Sequence, residues 1–368
     1  MPAPNCPNPS RAGPVPTAIR RALRTAALGI LLALPGLVQA APYTLGQGYR
    51  LPILGLTAGG YLSIQANALE GEKSQATLQD LSLFLHGDLR PDWHFFTEVE
   101  LSTPVTISRD GLSSKDIDLD FERFYFDHNL AARTTLRLGK FLTPVGRWNQ
   151  IHADPLVWTV SRPLTTSAAF AKNASGAQLY GSWPVGRSAV DYQLYLDDTA
   201  GLDPSEGHEK TFMDLSVQPN PPSSFRHGGG ARLQYRSFDD DFLAGVSAGR
   251  FELKDRPGYK NLVGADLFYT VDDYEFSGEA VYRKDDGGGL SEWGGFVQAV
   301  VPLGHAFYGI VLHERYKAEL FDRPVDSTSL GITYRPTPPF SIKLERRESR
   351  GEERLAPDGW LFSVAVLF

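Results

Sequence analysis

From residue 58 to the end, apolar and polar side chains alternate in segments of about ten residues, and no stretch carries the 3.6-residue period of a helix. Alternation gives an extended strand one apolar and one polar face. Clear cases are Asp191-Tyr192-Gln193-Leu194-Tyr195-Leu196 and Gly230-Ala231-Arg232-Leu233-Gln234-Tyr235-Arg236. In the last segment Trp360, Phe362, Val364, Val366 and Phe368 share a face. Sixteen strands are expected, near 58–68, 76–89, 93–102, 116–127, 134–142, 175–183, 188–197, 229–238, 242–253, 261–271, 274–283, 292–301, 306–316, 327–335, 340–350 and 359–368.

The connections are asymmetric. The long ones (103–115, 143–174 and 198–228) all follow odd-numbered segments, whereas tight turns such as Arg90-Pro91-Asp92, Asp272-Asp273 and Pro302-Leu303-Gly304-His305 follow even ones. Short turns on one rim and long loops on the other predict an all-β fold, a transmembrane antiparallel β-barrel with periplasmic turns and extracellular loops. A soluble sandwich would not keep two unlike rims over sixteen strands, and a propeller would repeat a motif about every 40–50 residues. In lipid every backbone polar group must be paired internally, which a closed barrel achieves. Counts of fourteen or eighteen stay open, because Thr211–Val217 has some strand character.

Composition narrows the function. The chain of 368 residues has one Cys, Cys6, and a net charge of −7, so thiol chemistry and nucleic acid as a main partner drop out. Arg20, Arg21 and Arg24 precede the apolar run Ala26 to Leu34, and Val38-Gln39-Ala40 offers small residues for cleavage. This is the layout of a secretory signal peptide, expected over 1–40. Its removal takes away four Arg and no acid, moving the charge from −7 to −11. A periplasmic N-terminal segment is expected over 41–57 and the barrel over 58–368. Aromatic residues fall at strand ends, as interfacial girdles require. Trp93, Phe95, Trp183, Tyr269, Tyr274 and Tyr334 lie beside short turns, and Phe251, Tyr282, Trp293, Tyr316 and Trp360 beside long loops.

With its signal peptide, two-rim pattern and terminal Phe368 on an alternating strand, the sequence resembles the Gram-negative outer-membrane porins. Leu138-Gly139-Lys140-Phe141-Leu142-Thr143-Pro144-Val145-Gly146 is similar to a strand-end pattern in several porin groups. The resemblance implies the cell outer membrane, contact with lipid and lipopolysaccharide, recognition of Phe368 by the barrel-assembly machinery, and a homotrimer. It also implies that the loop after strand five, 143–174, folds into the lumen.

A sixteen-stranded barrel leaves an aqueous channel. A Lys or Arg on the lipid face costs about 2–4 kcal/mol at the midplane, so parity sends charges inward. The expected pore lining is acidic on strands three and four (Glu98, Glu100, Asp118, Asp120, Glu122) and basic elsewhere (Arg137, Arg232, Arg236, Arg315, Lys343, Arg347). Gln234 and Glu345 share the inner face. In loop 143–174, Arg147, His152, Asp154, Arg162 and Lys172 are the candidates for a constriction, with opposed acidic and basic surfaces setting up a transverse field. The expected function is passive diffusion of small hydrophilic solutes or ions. A monomeric porin selective for anions or sugars and a structural or adhesion barrel without conductance remain alternatives. No His-Glu-x-x-His, nucleophile elbow or Walker loop appears, so no enzyme, cofactor or metal site is expected.

Overall fold

The structure is a computed structural model describing residues 43–52, 55–108, 111–113, 118–151, 153–203, 224–254, 256–289 and 291–368. The expected signal peptide 1–40, Thr211–Val217 and His152 lie outside the described residues, as does the side chain of Asp118.

Sixteen long strands form the wall: β1 (Leu56–Leu69), β2 (Gln75–Arg90), β3 (Trp93–Ser108), β4 (Asp118–Ala131), β5 (Thr134–Leu142), β6 (Asn173–Val185), β7 (Ser188–Asp197) and β8 (Phe225–Arg236). They continue as β9 (Phe242–Leu253), β10 (Arg256–Val271), β11 (Tyr274–Asp285), β12 (Ser291–Gly304), β13 (Phe307–Lys317), β14 (Val325–Thr337), β15 (Phe340–Gly351) and β16 (Gly359–Leu367). Every segment read from the alternation is a strand, and the count is sixteen. Each pairs antiparallel with its neighbour in sequence, and β16 pairs with β1 from Gly359↔Leu69 to Leu367↔Tyr61. Two further bonds close the seam at the terminus: Phe368 N–H donates to the Gly60 carbonyl at 2.7 Å, and Gly60 N–H to the Phe368 carbonyl at 2.9 Å. Closure leaves no unpaired edge for lipid to solvate. Two three-residue strands add to the rims: Tyr49–Leu51 pairs back onto the start of β1, and Gly111–Ser113 onto the end of β3.

The outer face is apolar, with Leu194, Leu196, Val246, Val263, Val297, Leu330 and Ile332 exposed. Trp183, Tyr269, Tyr274, Tyr282 and Trp360 are exposed at strand ends, as girdle residues would be. Phe251 and Tyr316 are not: both are fully buried inside, because they share the inward parity of Gly249 and Glu314. On the short-turn rim β12 and β13 are joined through His305 and Ala306, both at positive φ (52° and 65°), the conformation a two-residue hairpin needs and residues with a Cβ resist.

Residues 143–151 and 153–172 run along the inner face. Four apolar clusters seat this loop. Val145, Ala169 and Phe170 pack with Phe141, Phe251 and Leu262. Trp148 and Val157 pack with Phe296 and Leu312, Val160 with Leu69 and Leu361, and Leu164 with Tyr316 and Val325. Several strands are therefore apolar on both faces near the loop.

Candidate functional site

The loop is held by carboxylates that accept consecutive backbone N–H groups. Glu279 on β11 takes those of Arg147 (2.7 Å) and Trp148 (2.5 Å). Glu345 on β15 takes Val160 (2.8 Å) and Ser161 (3.1 Å) and also the Ser161 hydroxyl. Glu314 on β13 takes Leu164 (2.9 Å) and Thr165 (2.8 Å), plus the Thr165 hydroxyl at 2.7 Å. An irregular loop has backbone donors with no ladder to satisfy them, and a carboxylate with two oxygens can satisfy a neighbouring pair. Carbonyls are met in the same way. Arg335 donates to Pro155 (3.1 Å) and Val157 (2.9 Å) while lying 3.8 Å over the Trp158 ring, and Arg283 donates to Ala169 at 2.8 Å.

The expected constriction residues separate into groups. Asp154 is buried against β15 and β16, where Lys343 Nζ lies 3.0 Å from Oδ1 and the Ser363 hydroxyl donates to Oδ2 at 2.7 Å. Lys172 pairs with Glu122 at 2.5 Å, and Arg162 is buried among Tyr61, Asp80, Glu122 and Asp154. Burial pushes the Arg162 guanidinium below the usual arginine range, and those neighbours pull it back up. Arg147 instead lies 3.8 Å over the Phe268 ring of β10.

On the wall, Glu98, Glu100 and Glu122 are buried on the inner face and Asp120 is exposed. A bulge between the Glu98/Arg123 and Val99/Phe121 pairs lets Glu122 and Arg123 both point inward, so strict parity missed Arg123, which bonds Glu98 at 2.6 Å. Arg137, Arg232, Arg236, Lys343 and Arg347 are also on the inner face, but they do not form an open basic surface. Arg137 is bidentate to Asp127 (2.8 Å), Arg232 to Asp266 and Arg236 to Asp191 (2.9 Å), Lys343 meets Asp154, and Arg347 donates to the Pro357 carbonyl at 2.9 Å. The expected opposition of an acidic and a basic face is thus replaced by local pairs.

Arg315 is a correction. It lies on the outer face, 57% exposed, 3.6 Å from Asp326 and 6.0 Å from the Trp293 ring, while Glu314 points inward. Alternation failed there because Ile310 and Leu312 face inward, where Leu312 meets the loop's Val157, so polarity does not mark the inner side of β13. At a rim the long side chain can keep its charge in water. The inward residues Asp266, Glu275, Glu279, Arg283, Glu292 and Glu314 were not singled out from the sequence. For β11 the signal was available, since Glu275, Ser277, Glu279 and Arg283 alternate with Tyr274, Phe276, Ala280 and Tyr282.

No protein-family profile and no curated protein matches the chain. Solved structures do. The chain is similar to the anion-selective porin from Comamonas acidovorans (TM-score 0.54, 13% identity), covering 85% of this chain and 98% of that one. It is similar to OmpF of Salmonella typhi in complex with daunomycin (TM-score 0.57, 10% identity; 86% and 99%). It is also similar to the outer-membrane channel DcaP of Acinetobacter baumannii (TM-score 0.55, 12% identity; 87% and 99%). The chain has the sixteen-stranded fold of outer-membrane porins.

Proposed function

We propose that the protein is an outer-membrane channel for passive diffusion of small hydrophilic solutes, with a passage narrowed by the loop after the fifth strand. The observation carrying this reading is the stapling of residues 147–165 to inner-face carboxylates on β11, β13 and β15. A loop tied to the wall at three points stays inside the barrel and leaves the rest of the lumen to water. Arg147, Asp154, Arg162 and Lys172 act from the loop, with His152 beside them in sequence, and the acids of β2–β4 face Arg162 and Lys172.

Selectivity for anions is the named property of one structural relative, and the ion pairs of Arg137, Arg232, Arg236 and Lys343 argue against carrying it over. The outer face would contact lipid and lipopolysaccharide, Phe368 would serve barrel assembly, and a homotrimer is the expected assembly. Catalysis has no part in this reading.

Planar-bilayer recording tests it. The protein should conduct, and Arg147→Ala with Arg162→Ala should change both conductance and reversal potential in a salt gradient. Absence of conductance removes the channel reading, and an unchanged double variant removes the constriction.

A further inference from the structure

The loop fills one side of the lumen, and on the other side a cavity of about 680 Å³ remains against β4–β8. That volume falls within the roughly 300–1,000 Å³ typical of small-ligand pockets. We propose that this cavity is a binding site for an uncharged polyhydroxylated solute, a mono- or disaccharide; the proposal rests on the channel reading above and names its substrate class.

The lining is unusual for an ion path. Gln150 from the loop, Tyr180 and Ser182 from β6, Gln193 from β7 and Gln234 from β8 present amides and hydroxyls. The formal charges beside them are neutralised within the wall: Arg232 by Asp266, Arg236 by Asp191 and Arg137 by Asp127. Even the Tyr180 hydroxyl is committed to Asp127, at 2.9 Å. A solute with net charge would lose hydration here and find no uncompensated counter-charge in the deeper lining. A hydroxyl needs none, because it donates and accepts as the amides do. Gln193 Oε1 has no hydrogen-bond partner among the described residues, and because it is buried it meets a solute once the side chain turns toward the cavity. Such an atom carries an energetic cost that a solute hydroxyl would relieve. Gln234 is positioned by Arg232, which donates to its Oε1 at 2.8 Å and leaves the amide nitrogen to turn toward a ligand.

The rival ligand is an anion, drawn by Arg133, which stands exposed at the rim of the same cavity. Sucrose, gluconate and glucosamine separate the readings, since all three are polyhydroxylated and only sucrose is uncharged. Titration calorimetry on the folded protein in detergent should show sucrose binding, with gluconate and glucosamine at least about fivefold weaker, and sucrose should produce reversible current blocks in a bilayer. Gln193→Leu and Gln234→Leu, each tested alone, should weaken sucrose about fivefold to tenfold, the worth of one or two hydrogen bonds. Folding of each variant is checked by the mobility difference between heated and unheated samples in detergent gels, and the wild-type comparison of the three ligands decides even if one variant fails to fold. Stronger binding of gluconate than of sucrose, or unchanged sucrose affinity in a folded variant, overturns the proposal. A protein that conducts but does not bind sucrose sinks this proposal alone, whereas one that binds sucrose without conducting sinks only the channel reading.

Discussion

Replacing Glu345 by Ala should release the middle of the inner loop while leaving the barrel closed. Glu345 is almost fully buried and accepts three hydrogen bonds from the loop, two from consecutive backbone N–H groups and one from the Ser161 hydroxyl. Truncation removes a charged acceptor and strands those donors. A hydrogen bond to a charged group contributes about 1.5–3 kcal/mol, and each orphaned donor costs about 1–3 kcal/mol unless water reaches it. Water can enter from the lumen and from the space left by the side chain, so about 3 kcal/mol is a reasonable net loss. That is about a hundredfold in the local opening equilibrium. The barrel ladders do not depend on Glu345, whose strand pairs with β14 and β16 through the backbone. Hydrogen exchange at the amides of Val160 and Ser161 reads the effect directly, because local opening sets their protection. Expected are a drop in protection of about a hundredfold at those two amides, unchanged protection in β15, and larger current noise in bilayers. Glu345→Gln should fall between wild type and Ala, since an amide keeps one acceptor oxygen and turns an NH₂ toward donors. Protection at Val160 and Ser161 that changes less than about twofold in the Ala variant would refute the staple argument.

Three further outcomes follow from the same geometry. Lys343→Met should destabilise the loop by about 3–5 kcal/mol because Asp154 is left buried and charged; adding Asp154→Asn should restore most of that loss, read as unfolding temperature in detergent. Gly245→Ala should loosen the β8–β10 wall by about 2 kcal/mol, since a Cβ there meets both the Asp266 carboxylate and an Arg232 nitrogen; denaturant titration checks it, and an unchanged midpoint would show that the pair can move aside. Ala306→Gly should stabilise the β12–β13 hairpin by about 0.5–1 kcal/mol by relieving a Cβ at φ 65°, visible as a raised urea midpoint.

Parity could be read wherever one face of a strand meets lipid and the other meets water. On β15 Phe340, Ile342 and Leu344 mark the outside, and Lys343, Glu345 and Arg347 fall inside without further information. It failed where that contrast disappears. On β13 the loop covers the inner face with apolar side chains, so Arg315 could not be assigned from the pattern. On β4 a single bulge shifts the phase, and Arg123 comes inward where strict alternation would send it to lipid. Phe251 and Tyr316 were read as girdle residues from their place at strand ends, but position along a strand does not reveal which side of the wall a ring occupies.

The sequence by itself determined the barrel. Alternation, strand length and the two unlike rims are local properties, and hydrocarbon permits few ways to close such strands. Only the tertiary structure decided what lies inside. Asp154 and Lys343 are 189 residues apart, about half the chain, and nothing near either residue specifies the other. The inner Arg and Asp residues look like an open charged surface strand by strand, but their partners stand on adjacent or next-but-one strands. They neutralise one another because the register of strand pairing brings them within bonding distance. The charge of the passage is therefore a property of the folded wall and loop together, and not of the residues counted along the chain.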